Sequence, residues 1–127
     1  MPKQVITTPN APKAIGPYSQ AVKIDKFLFV SGQIPVDPVT GSLVLGGIEA
    51  QTRRVLDNIK AVVEAAGGKI DNIVKINVYL KKIDDFRFVN TIYEKYFTKD
   101  FPARATVAVL DLPKKVDVEM DAIAYLE

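Results

Sequence analysis

Apolar residues recur at every second position in several short runs and at every third or fourth in two longer ones, and these two rhythms divide the chain into strands and helices. Residues 3–7 read as a short first strand. Pro9, Pro12, Gly16 and Pro17 then punctuate a stretch with neither period, a loop whose backbone the prolines stiffen. Residues 21–24 and 27–32 form a hairpin about Asp25-Lys26, a weaker turn signal than Asn-Gly. Its second arm is apolar almost throughout, so it is expected to be central. Residues 36–41 carry turn chemistry that leads to a helix.

From 48 to 66 the apolar positions Ile48, Val55, Leu56, Ile59, Val62, Val63 and Ala66 make one helical face, which Gly67-Gly68 ends. Residues 72–80 return to period two. Val74, Ile76, Val78 and Leu80 share one side, with Ile73, Lys75, Asn77 and Tyr79 on the other. Asp84 or Asp85 caps a second helix whose apolar set is Phe86, Val89, Ile92, Tyr93, Tyr96 and Phe97. Asn90 lies one turn after Phe86, at the border of that face, where the pattern alone makes it an ordinary boundary residue.

Residues 101–107 and 116–124 read as two more strands. In the first, Arg104, Thr106 and Ala108 share one side and Ala105, Val107 and Val109 the other. In the second, Val118, Met120, Ala122 and Ala124 oppose Glu119, Asp121, Ile123 and Tyr125. A reversal at 111–115 would pair these strands and set Arg104 and Glu119 on one sheet face. A guanidinium fork beside a carboxylate suits a small acid: the fork binds the acid bidentately and the glutamate moves a proton or orients a water. The same two residues also fit a cross-strand surface ion pair contributing about 0 to 1 kcal/mol.

The order of elements predicts one α+β domain over residues 1–127, a mixed sheet with two helices on one face. The opposite face would carry Tyr79, Thr106, Ala108, Leu110, Ile123 and Tyr125, too apolar a set to leave in water, so it is expected to pack against copies of the same chain. Arg104 and Glu119 would then lie at a subunit boundary.

Composition narrows the chemistry. With 127 residues, 48% hydrophobic and 25% charged, the chain has the material for one core. A formal charge of +2 without a basic cluster argues against a nucleic-acid partner. No membrane span or leader pattern is evident, so the expected location is the cytoplasm. Zero cysteine and zero histidine remove thiolate nucleophiles, Cys/His zinc sites and Ser-His-Asp triads. No tight acidic cluster suggests a magnesium site. Catalysis would fall to Glu, Asp, Tyr, Lys, backbone groups or water. In the first loop, the turn at Gly16-Pro17 aims Tyr18 at whatever the loop covers, or pins the loop by packing. Gly32 would let a backbone or ligand come close.

The segments Gly16-Pro17-Tyr18-Ser19-Gln20-Ala21, Ser31-Gly32-Gln33-Ile34-Pro35, Gln51-Thr52-Arg53 through Asn58-Ile59, Pro102-Ala103-Arg104 and Val118-Glu119-Met120-Asp121-Ala122-Ile123-Ala124 occur in an order that resembles the RidA/YjgF family over essentially the whole chain. These are reactive-intermediate deaminases, also labelled endoribonuclease L-PSP or translation-inhibitor proteins. The resemblance implies a chorismate-mutase-like α+β sandwich assembled as a homotrimer with clefts at its interfaces. It implies hydrolysis of 2-iminobutanoate and 2-iminopropanoate to 2-keto acids and ammonia, without metal or cofactor, and a functional link to the pyridoxal-phosphate-dependent dehydratases that release those imines.

Carried over residue by residue, Arg104 would hold the substrate carboxylate in a binding run that continues through Ala105 to the Thr106 amide. Glu119 would activate the attacking water and assist the departing ammonia. Tyr18 would close over the substrate, while Ser31, Gly32 and Asn90 would complete the cleft of the neighbouring subunit. Thr106 stands where many relatives carry cysteine, a position whose role is taken to be mostly main-chain. Two other readings remain: a non-catalytic trimer that binds small carboxylates or unfolded proteins, and the ribonuclease of the family label, which the charge and the missing histidine disfavour.

Overall fold

The computed structural model describes residues 2–127. Its strands are β1 (Gln4–Ile6), β2 (Ala21–Ile24), β3 (Phe27–Gln33), β4 (Ile73–Leu80), β5 (Ala103–Ala108) and β6 (Val118–Tyr125), and its helices are α1 (Ile48–Ala65) and α2 (Phe86–Tyr96). They form one mixed α+β sheet in the order β1-β2-β3-β6-β4-β5, antiparallel except where β4 meets β5.

Helix α1 follows its sequence period closely. Val55, Leu56, Ile59, Val62 and Val63 are all fully buried, and Ala122 and Ala124 of β6 leave room for the helix to lie close on the sheet. Its end is a Schellman turn: Gly67 takes φ +90, its amide donates to the Glu64 carbonyl, and the Gly68 amide donates to that of Val63, each at 3.0 Å. In α2, Val89, Ile92 and Tyr93 face the core with Phe97 just beyond the helix, whereas Phe86 is 45% exposed and does not join them. Asp85 stands at the N-cap without a side-chain cap bond.

Two expectations fail in instructive ways. The register of β4 shifts between Ile73 and Lys75, so Ile73 is buried while Val74 is 46% exposed, the reverse of strict alternation. More important for the site, β5 and β6 do not pair. A strand, a helix and a strand in succession join as parallel neighbours, so β4-α2-β5 places β5 beside β4, and β6 enters between β3 and β4.

The faces of β5 are consequently inverted. Arg104 pairs with the buried Ile76 and Thr106 with the buried Val78, on the helix side, while Ala105 and Val107 lie beside Asn77 and Tyr79 on the helix-free side. Thr106 and Ala108 therefore do not belong to the helix-free face, and Leu110, beyond the strand, is fully exposed. That face is still apolar in part: Phe27, Phe29, Val107 and Tyr125 are each 40–46% exposed. Phe27 meets Tyr125 edge-on with ring centroids 5.1 Å apart.

Candidate functional site

The inversion of β5 puts Arg104 and Glu119 on opposite faces of the sheet, each in its own setting. A cross-strand ion pair between them within one chain does not form. Among the described residues the only ion pair joins Lys115 and Asp111, at 2.6 Å.

Glu119 lies on the helix-free face of β6, directly across from Tyr79. The entry to this strand is fixed by a reciprocal tie to α1. The Gln51 amide nitrogen donates to Asp117 at 3.0 Å, and the Asp117 backbone amide donates back to Gln51 at 2.9 Å. On the other side, β3 and β6 lose register between Val30 and Gln33, so Ser31 and Gly32 bulge past Asp121. At this bulge the Glu119 carboxylate lies over Gly32 so closely that a Cβ there would collide with it. Burial, reinforced by the charge of Asp121, pushes the Glu119 carboxyl above its usual range. A half-buried carboxylate without a cationic partner accepts a proton readily.

The loop over Glu119 hangs on one buried side chain. Gln20 accepts from the Thr8 amide at 2.7 Å and donates to the carbonyls of Thr8, Ala11 and Pro12 at 3.0, 3.2 and 2.8 Å. This satisfies backbone groups that have no ladder to join. The Ser31 hydroxyl donates to the Ser19 carbonyl at 2.6 Å. Its proton is thereby used, and toward a ligand it can only accept. Tyr18, 51% exposed, accepts from the Ile15 amide at 3.3 Å. Together these elements wall a cleft of about 890 Å³ lined by Lys13, Tyr18, Ser31, Gly32, Lys114 and Glu119. Lys114, at φ 55, sits in the left-handed region at its rim, and Lys115 follows it at φ 60.

Arg104 is braced by α2. Its Nη1 donates to Asn90 Oδ1 at 2.8 Å, and its guanidinium carbon sits 4.9 Å from the centre of the Tyr93 ring. With Phe101 and Pro102 these side chains frame a hollow of about 290 Å³. Asn90 therefore stands beside Arg104, not with Ser31 and Gly32. Burial pushes the Tyr93 phenol up to about 12, against the lowering pull of Arg104. The Tyr93 and Thr106 hydroxyls are both buried without hydrogen-bond partners. Ala105 and Thr106 continue along β5, the edge strand of the sheet. Among the described residues no group of three or more acidic side chains could hold a metal ion.

Sequence reasoning overlooked Tyr93, which its apolar period assigns to packing alone. The available signal was its place three residues after Asn90, on the same side of a helix. It also overlooked Asp121, whose carboxylate accepts from Asn77 Nδ2 at 2.9 Å and from the Tyr79 hydroxyl at 2.8 Å.

Fold and site together define a class: a two-helix, six-stranded α+β protein that offers a proton-accepting carboxylate in one cleft and a braced guanidinium in another. The family model described as Endoribonuclease L-PSP matches residues 8–126. A RutC family protein of Pyrococcus abyssi is 54% identical over 127 residues, 100% of both chains. The 2-iminobutanoate/2-iminopropanoate deaminase of Salmonella typhimurium is 51% identical, over 95% of this chain and 96% of its own. The crystal structure of the Escherichia coli YjgF gene product, 49% identical, superposes with a TM-score of 0.94 over 98% of this chain and 99% of that one. The chain belongs to this family, the RidA/YjgF proteins.

Proposed function

We propose that the protein hydrolyses 2-imino acids, 2-iminobutanoate and 2-iminopropanoate among them, to 2-keto acids and ammonia, in clefts completed between the subunits of a homotrimer. The observation that carries this reading is the pair of complementary charges left unpaired on opposite faces: Arg104 braced without an acid, Glu119 half-buried without a cation. The apolar helix-free face supplies a surface for assembly. The deaminase name borne by the Salmonella relative supports the choice of substrate.

In this reading Arg104 of one subunit grips the substrate carboxylate, and Glu119 of the next faces the imine carbon. Glu119 takes a proton from water as the oxygen bonds to that carbon, giving a carbinolamine. It returns the proton to nitrogen, the carbon–nitrogen bond breaks, and Glu119 takes the hydroxyl proton as the keto group forms and passes it to the departing ammonia, so ammonium and the keto acid are released. A protonated imine is already electrophilic, so positioning and one carboxylate suffice. Ser31 accepts from the substrate or the water, and Tyr18 covers it.

The test mixes two inactive variants. Arg104→Ala should lose about 2 to 5 kcal/mol of substrate stabilisation, and Glu119→Gln should lose turnover with binding kept. If the cleft takes one residue from each of two subunits, co-refolding equal amounts restores about one quarter of the sites. Imine generated by a threonine dehydratase, with keto-acid release followed, gives the readout. Failure of the mixture to recover activity overturns the shared cleft. An inactive wild type overturns the deaminase and leaves a carboxylate-binding trimer.

A further inference from the structure

The helix-free face carries a second carboxylate that the chemistry above does not use. Glu119 and Asp121 are two residues apart on β6 and therefore point to the same side. Two acidic groups on one face repel, and among the described residues neither has an ion-pair partner. Packing does not require this arrangement, since a neutral residue, Ile123, fills the next position on the same face of β6.

The hydrogen bonds at Asp121 are unusual in their direction. Tyr79 stands directly across from Glu119 in the register of β4 and β6, yet its hydroxyl reaches diagonally to Asp121 Oδ2 at 2.8 Å. Asn77, directly across from Asp121, holds the other oxygen at 2.9 Å. Both oxygens are thus engaged by donors. Asp121 takes the donor of the residue directly across from Glu119, and Glu119 is left lying over the bare backbone of Gly32. The other ionisable groups in reach are Lys75, on the same face of β4, and Lys13, Tyr18 and Lys114, which line the cleft.

We infer that Asp121 is a positioning residue for Glu119: held by Asn77 and Tyr79, it withholds the Tyr79 hydroxyl from Glu119, turns the Glu119 carboxylate toward Gly32 and the cleft, and keeps it a competent base. The raised proton affinity of Glu119, to which Asp121 contributes after burial, agrees with this role. So does the Tyr79 phenol, which its hydrogen bond to Asp121 holds above its usual value. The inference deepens the proposed hydrolysis and rests on Glu119 being its base.

Asp121→Asn tests it, because an amide keeps the shape while removing the charge. Two readouts are followed against pH: kcat/KM for imine hydrolysis, and the carbon-13 shift of the Glu119 side-chain carboxyl. Without the neighbouring charge, and with Tyr79 free to turn to Glu119, the acid limb and the carboxyl titration should both move to lower pH, and the plateau rate should fall severalfold. In Asp121→Asn with Tyr79→Phe the turning donor is gone, so both should lie between wild type and the single variant. A merely structural Asp121 would lower Tm and leave both midpoints in place, and that result overturns the inference. If Glu119→Gln hydrolyses imine at the wild-type rate, the assignment of Glu119 as the base fails instead, while the carbon-13 titration still reports whether Asp121 governs Glu119.

Discussion

At position 32 the side chain is a single hydrogen, and the carboxylate of Glu119 occupies the volume a methyl group would need. The obstruction is the far end of a flexible side chain, so a larger residue displaces the carboxylate without splitting the sheet. Gly32→Ala should therefore fold with a Tm close to wild type, and its kcat should fall by about 10²-fold, the scale for a misplaced catalytic group. A kcat that survived this substitution would show that the carboxylate does not act from where it lies. Gly32 was legible in the sequence as a point of close approach. What approaches it was not, because the bulge that brings Glu119 there arises from two strands separated by 87 to 92 residues in register.

Helix α2 does more than cover the sheet. Its inward side supplies Val89 and Ile92 to the core, and its border supplies Asn90 and Tyr93 to Arg104. A guanidinium held by a hydrogen bond and a ring face has lost most of its rotamer freedom before any ligand arrives, which lowers the entropy lost on binding. Asn90→Ala removes the hydrogen bond and should raise KM by about tenfold, since a bond to a charged group contributes about 1.5 kcal/mol, while kcat stays near wild type. Steady-state kinetics on 2-iminobutanoate separate the two constants. A fall in kcat with KM unchanged would place Asn90 at the reacting atoms instead.

The helices themselves were readable, since a three-and-four stripe over α1 admits one solution. The face of β5 was not. Residues 103–108 are small or half-polar on both sides, so alternation there has no preferred sign. Only the crossover through α2, which forces a parallel partner, decides it.

Across the whole molecule the sheet has two unlike sides, a helical side buried along β3, β4 and β6 and an open one that mixes aromatics with Glu119, Asp121, Asn77 and Tyr79. Its open side stores a pH dependence. Glu119 binds its proton more tightly folded than unfolded, so the folded state holds more protons through that range, and stability falls as pH rises through it. Glu119→Gln, neutral at every pH, should therefore raise Tm at pH 7 and match wild type below the ordinary carboxylate range. Thermal melts at the two pH values check this, and a variant less stable than wild type at pH 7 would show that the folded protein compensates the charge. The sequence was informative at this scale about an uncovered apolar face and wrong about some of its members, because membership follows from the one strand whose sign it could not fix.

With Arg104 on one side of the sheet and Glu119 on the other, the proposed shared cleft makes a chain by itself only a pair of incomplete halves. Where chains are scarce enough to dissociate, a site divided in this way falls off at least as the square of their concentration. Halving gene dosage in that range removes more than half of the output, and a modest rise in expression returns more than it adds in protein.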